Sequence, residues 1–300
     1  MKLGEFILYN WSRLTKSPVA DRKDLLGEDP GSNEYGLNYA LKKQYDKCVR
    51  DGIGIHIRDK VLLEIGCGHG GISIYCAVNG ARKVYGVDID DKRLKHAEAA
   101  AESIAGSQGR SRNSIPLEFL QMNVCEINLP DNSLDYIMAD NVFEHFMEPR
   151  RVLEHCYRLL RPGGMIIIRG MPSIYSMYGL HLKNGLKVPW ANLFFTEKTI
   201  CRVMHRLAEE NPKLHDIYPG IRNRPLNVRD LRYSADLNGI TYSTFKRMAQ
   251  NAGFQIKMAK PLYAPKYIGK LISMIPFFAN TILGDIFSHT FYADLIKPEN

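Results

Sequence analysis

The segment Leu63-Glu64-Ile65-Gly66-Cys67-Gly68-His69-Gly70-Gly71 sets a carboxylate two residues before a turn that is mostly glycine. Glycine at that density lets something approach the backbone closely. Gly66, Gly68 and Gly71 fit the spacing GxGxxG, and Asp88 follows at the end of a second strand-like run. Taken alone, this also fits a dinucleotide turn in which the loop and a helix N-terminus hold a pyrophosphate. Glu64 separates the two chemistries. A carboxylate beside a pyrophosphate is repelled, whereas a cationic amino group is attracted.

These residues must be held by alternating strands and helices. Strand patterns run over Val61–Ile65, Lys83–Asp88, Leu117–Met122, Leu134–Ala139 and Met165–Gly170. Helical patterns over Gly71–Asn79, Asp91–Ala105 and Pro149–Leu160 fall between them, the last stopped by Arg161-Pro162-Gly163-Gly164. Thr241–Ala252 reads as a further helix, Gln255–Ala259 as a sixth strand and Thr290–Ile296 as a seventh. The alternation predicts an α/β fold with a doubly wound, mostly parallel, seven-stranded Rossmann-like sheet. Residues 1–57 are expected to form an N-terminal helical cap and residues 58–300 the main domain. The Tyr-, Pro- and Arg-rich stretch 173–240, which has no place in the alternation, is expected to be an insertion over the active site.

The chain resembles the class I S-adenosylmethionine-dependent methyltransferases. The resemblance is carried by LEIGCGHGG, by VYGVDID (Val84–Asp90), by LPDNSLDYIMADNVFEHF (Leu129–Phe146) and by LLRPGG (Leu159–Gly164). It covers residues 60–170 well and Tyr242–Ala259 more loosely. It implies S-adenosyl-L-methionine as cofactor and a role for each matching residue. Gly66 and Gly68 let the backbone approach the methionine and ribose portions, Glu64 sits near the amino end, and Asp88 accepts from both ribose hydroxyls. Ile89 packs on the adenine, and Asn123 and Val124 stand where the family often has an acidic residue facing the adenine amine. Asn141, just after the fourth strand, completes the set. Glu64 as a turn stabiliser and Asp88 as a solvated strand-end carboxylate are the plainer alternatives, and Asp135 is expected to orient the fourth strand.

Methyl transfer from a sulfonium is an in-line displacement, so alignment and exclusion of water are the main demands. An alcohol acceptor adds one more, because its proton has to leave as the C–O bond forms. Two histidines stand where a base is needed: His145, after the fourth strand on the ligand side of a parallel sheet, and His181, in the aromatic stretch Ser173–Phe195. His181 is taken as the base and His145 as a group that orients the acceptor; a turn residue and a surface residue are the alternatives. HLKNGLKVPWANLFF resembles methyltransferases of glycan and cell-surface polysaccharide assembly, which implies a small-molecule or glycan-like acceptor. Without an Asn-Pro-Pro-Tyr-type tetrapeptide after the fourth strand, DNA is not expected as substrate.

The net charge of +8 belongs to the last part of the chain: residues 173–300 hold 17 basic and 9 acidic side chains. An ordinary solvated surface, attraction for a phosphorylated or lipid-linked acceptor, and an RNA-binding face all fit that excess. No recognisable RNA-binding module supports the last. RNA methylation and a catalytically silent cofactor-binding scaffold are the rival functions. The six cysteines lack CxxC or Cys/His ligand spacing, so no metal site is indicated and a cytoplasmic location is expected. The N-terminus does not read as a signal peptide, and the longest charge-free apolar run near the C-terminus, between Lys270 and Asp285, is too short to span a bilayer. Leu262–Leu283 fits a core helix, a homodimer contact or a peripheral membrane contact.

Overall fold

The computed structural model describes residues 2–14, 46, 56–173, 175–176, 186, 188–210, 238–263 and 282–299. Seven strands form one sheet: β1 (Val61–Ile65), β2 (Lys83–Asp88), β3 (Leu117–Gln121), β4 (Leu134–Asp140), β5 (Leu160–Met171), β6 (Gln255–Tyr263) and β7 (Ser288–Ile296). Their order is β3-β2-β1-β4-β5-β7-β6. The first five are mutually parallel, and β7 runs antiparallel to both β5 and β6. The described helices are α1 (Leu3–Leu14), α2 (Gly71–Val78), α3 (Asp91–Ser107), α4 (Pro149–Leu159), α5 (Ala191–Phe194), α6 (Glu197–Glu210), α7 (Tyr242–Asn251) and α8 (Ile282–Phe287).

Burial on both faces explains why the central strands are apolar almost throughout. Leu63, Ile65, Ile137, Ile166 and Ile168 point into a core shared with α4 and α7. Leu62, Met138, Met165 and Ile167 point the other way, into a core shared with α2 and α3. Helix starts are set by local chemistry: Asp90 accepts from the N–H groups of Lys92 and Arg93 at the head of α3, and the Thr241 hydroxyl accepts from Thr244 N–H at the head of α7.

Four strands are longer than their sequence patterns, β4 and β7 by one or two residues and β5 and β6 by more. β5 begins at Leu160, because Leu160 pairs with Leu134 and the Pro-Gly-Gly turn is absorbed as a bulge; Gly163 and Gly164 exchange backbone hydrogen bonds with Lys297. β6 continues through Pro261 to Tyr263 opposite Ser288. A proline is tolerated there because β6 is an edge strand.

Polar residues brace the sheet at both ends. Asp135 lies near the start of β4, where its Oδ2 accepts from Val61 N–H at 2.8 Å and its Oδ1 pairs with Arg161 at 2.7 Å. It orients strands at the end opposite the glycine loop. Arg169 of β5 and Asp294 of β7 form a fully buried ion pair, 2.7 Å apart and no more than 1% exposed. Arg169 also donates to the carbonyls of Ile168 and Ala293 and lies over the Tyr292 ring.

A smaller apolar cluster sits beside the sheet cores. Leu8 and Tyr9 of α1 pack with Leu186, Val188, Ala191, Ile200, Val203 and Met204. The first helix therefore docks on the segment that follows β5. Glu5 pairs with Arg202 at 2.7 Å across that contact.

Candidate active site

β1 hands the chain to a loop in which Gly66, Gly68 and Gly70 all have positive φ (64°, 54° and 71°). Steric demand fixes two of them. A Cβ on Gly66 would lie 2.2 Å from Val142 Cγ2, and one on Gly70 would lie 2.6 Å from the Phe119 ring. Gly68 is different, because a Cβ there would meet no atom within 4 Å. Open space lies in front of Gly68. The spacing pattern singled out Gly71, but the left-handed residue heading α2 is Gly70. Its cause, the aromatic ring of β3, is remote in sequence.

Two carboxylates hold this loop. Asp88 Oδ2 accepts from Gly68 N–H at 2.8 Å, and its Oδ1 accepts from Asp90 N–H at 2.9 Å. Each oxygen keeps a second lone pair for a further donor. Glu64 is buried, and its Oε2 accepts both the backbone N–H of Ser73 at 2.8 Å and the Ser73 hydroxyl at 2.5 Å. Ser73 N–H is one of the donors that a helix start leaves without an intrahelical partner, so Glu64 caps α2 from the preceding strand. Burial pushes the Glu64 carboxyl up to about 8 despite the two Ser73 hydrogen bonds, and the nearby Asp140 and Asp88 raise it further. The same burial drives the Cys67 thiol far above its ordinary range, which removes it as a nucleophile at neutral pH.

Along the rim, Ile89 is 73% exposed, unusual for isoleucine beside a buried carboxylate. Asn123 is exposed, and its side-chain oxygen accepts from Cys125 N–H at 2.9 Å, capping the short turn Val124–Glu126. That oxygen is thus already engaged, which leaves the Asn123 amide to face outward. Val124 is buried beneath it. His69 stacks on His96 with ring centroids 5.8 Å apart, and burial lowers its pKa.

On the other side of the loop, Asn141 follows β4 with φ 51° and donates its N–H to the Arg169 carbonyl at 2.9 Å. Gly170, with φ 75°, meets the Asn141 side chain so closely that a Cβ would lie 2.1 Å from Asn141 Oδ1. The chain then makes a short turn over Phe143–His145. Phe143 is buried in the core, and Glu144 is 4% exposed. His145 is partly exposed, with its Nε2 3.9 Å from Glu144 Oε1. Asn238 stitches this turn: its amide donates to the carbonyls of Phe143 and Phe146, and its backbone N–H donates to that of Glu144. Nothing in the spacing of the sequence marked Asn238, Asp140 or Ser73.

His181, Tyr178 and residues 218–232 lie outside the described residues. Of the remaining aromatic residues in that stretch, Trp190 is anchored. Its indole N–H donates to the Ile286 carbonyl at 2.7 Å, and its ring meets Phe287 edge-on.

Known proteins resemble the chain in this same region. Residues 63–168 match the family described as "Methyltransferase domain". Over 108 residues the chain is 32% identical to a "Probable S-adenosylmethionine-dependent methyltransferase" of Mycolicibacterium smegmatis, covering 36% of each protein. Over 109 residues it is 29% identical to a "Ubiquinone biosynthesis O-methyltransferase" of Psychrobacter cryohalolentis, covering 36% of this chain and 40% of the other. It spans well under half the length of these curated relatives. Among solved structures, an S-adenosylmethionine-dependent methyltransferase of Mesorhizobium loti aligns with 88% of this chain and 98% of its own, at 15% identity and a TM-score of 0.49.

Proposed function

We propose that this chain, which belongs through residues 63–168 to the class I S-adenosylmethionine-dependent methyltransferase family, moves a methyl group from S-adenosylmethionine to an oxygen of a small-molecule or glycan-like acceptor. One observation carries the cofactor reading: Glu64 and Asp88 hold the glycine loop and the head of α2, and Asp140 lies near Glu64. Carboxyls so gathered draw a cationic amino acid and repel a pyrophosphate. The open space before Gly68 supplies the room.

When bound, S-adenosylmethionine supplies a methyl group activated by a sulfonium. Gly66 and Gly68 admit it to the backbone, Glu64 faces its amino end, and the remaining lone pairs of Asp88 accept from the ribose hydroxyls. Ile89 gives the adenine an apolar face, with Asn123 and Val124 along its edge. Asn141, held in a left-handed conformation against Gly170, borders the cofactor on the acceptor side. His145, beside buried Glu144, orients the acceptor, and His181 takes the hydroxyl proton. Oxygen is favoured as acceptor atom because an imidazole, such as that of His145 after β4, suits an acceptor whose proton must leave. Cys67, Cys125 and Cys156 are reduced thiols, which accords with the cytoplasmic location we propose.

Calorimetry is expected to show binding of the demethylated product, S-adenosylhomocysteine, and none of NAD. Asp88→Ala should weaken that binding by about 1.5–3 kcal/mol, the range for a hydrogen bond to a charged group. Binding of NAD but not of the nucleoside would sink the assignment.

Glu64 adds a linkage prediction. With its carboxyl raised to about 8, the unliganded protein is protonated there at neutral pH, and an amino cation favours the ionised form. Binding should therefore release a proton and tighten as pH rises from about 6 towards 8. The unliganded fold should respond in the opposite direction. Above its ordinary value of 4.5, the unfolded chain has given up a proton that the folded chain keeps, so stability falls as pH rises towards 8. Titrations in buffers of different ionisation enthalpy count the released proton, and Glu64→Gln should abolish it. A wild-type count of zero would remove Glu64 from the amino end.

A further inference from the structure

Helix α1 is apolar on two faces, and among the described residues only one of them is covered. Leu8 and Tyr9 point into the cluster with α6. On the opposite side Leu3, Phe6, Ile7, Trp11 and Leu14 are 40–81% exposed. At 100° per residue these five fall on one arc, interrupted only by Asn10, whose amide is turned back to the Phe6 carbonyl. A helix that is apolar all round is ordinarily buried all round. Phe194 at the end of α5 is also 68% exposed. That helix adjoins α1, since a Cβ on Gly4 would lie 4.0 Å from the ring of Phe195.

We infer that this convex face of α1, with Phe194, docks on an anionic phospholipid surface. Charge selects that occupant. Exposed Lys2 and Arg13 fall on one border of the arc. No acidic residue lies within it, because Glu5 faces inward and pairs with Arg202. Aromatic and aliphatic side chains bordered by cations suit a helix lying in the headgroup region, and twelve residues are too few to cross it. Two-fold docking of a second copy would bring the same cations together, in a chain whose net charge is already +8. This surface belongs to a different segment from Leu262–Leu283, where the sequence suggested a membrane contact and most of which lies outside the described residues. It is also independent of methyl transfer, so vesicle binding can be read without any assay of activity.

The test is cosedimentation of the full chain with phosphatidylcholine vesicles, alone and mixed with phosphatidylglycerol. Binding is expected only to the mixed vesicles. The exposed-site substitutions Ile7→Glu and Trp11→Glu should each lower partitioning about tenfold or more. Lys2→Gln with Arg13→Gln should erase the preference for phosphatidylglycerol. Circular dichroism and unchanged S-adenosylhomocysteine binding confirm that the variants fold. The inference is overturned if no vesicle binds, or if Ile7→Glu and Trp11→Glu bind like the wild type. It is equally overturned if sedimentation velocity shows a dimer that these substitutions dissolve while vesicles remain unbound.

Discussion

Asp294→Ala is expected to lower the unfolding free energy by about 3–5 kcal/mol, the usual cost of removing one partner from a buried ion pair. Arg169 would keep its two carbonyl acceptors and the Tyr292 ring but would lose the Asp294 carboxylate, 2.7 Å away, in a site that is no more than 1% exposed. Most of the loss comes from the uncompensated guanidinium and little from the pair itself. Replacing both partners with apolar residues, Arg169→Met with Asp294→Leu, should therefore recover most of the stability. Equilibrium urea unfolding of the two variants decides the matter. A double variant no more stable than Asp294→Ala would show that the charges do more than neutralise each other, and an Asp294→Ala loss below about 1 kcal/mol would show that the site admits water.

His181→Ala should slow single-turnover methyl transfer by about 10²–10⁴-fold and remove the low-pH limb of the rate profile, as loss of a general base does. His145→Ala should act chiefly on acceptor affinity and alignment, because its imidazole stands beside buried Glu144 in the turn after β4. Both variants must bind S-adenosylhomocysteine like the wild type for the comparison to count. If both transfer at near wild-type rates, neither His181 nor His145 acts as base, and the search moves to an acceptor that needs none or to Glu144. The basic excess of residues 173–300 can be read in the same assay: an anionic acceptor makes turnover fall as salt shortens the screening length to about 10 Å at 0.1 M.

The parallel core was legible because both of its faces are buried, which makes β1, β2 and β4 nearly uniform apolar runs with boundaries set by glycine and charge. β5 and β6 were read short. Their extensions depend on pairing with β7 and with Lys297, contacts that local pattern does not contain. At the site, the residue types were visible and their bonds were not. Glu64 could be placed beside the loop from spacing, but its grip on Ser73 requires the helix to fold back on the strand. Asp88 shows the same gap, since its carboxylate holds Gly68 and Asp90 in addition to any ligand. The pairing of Arg169 with Asp294 was not legible, because nothing local announces a partner across an antiparallel pair. Trp190 offered itself as a substrate platform, yet the structure gives its indole N–H to Ile286.

The cluster that joins α1 to α6 shares no residue with the two cores on the sheet faces. A unit with its own small core can open on its own, at a fraction of the free energy of global unfolding. Its described ties to the remainder include the Trp190 hydrogen bond to Ile286 and the contact with Phe287. The loop held by Glu64 and Asp88 belongs to the sheet and stays formed when that unit breathes. If that unit borders the acceptor as proposed, exchange of one acceptor for the next needs no disturbance of the glycine loop, and the two parts of the site are free to diverge at different rates.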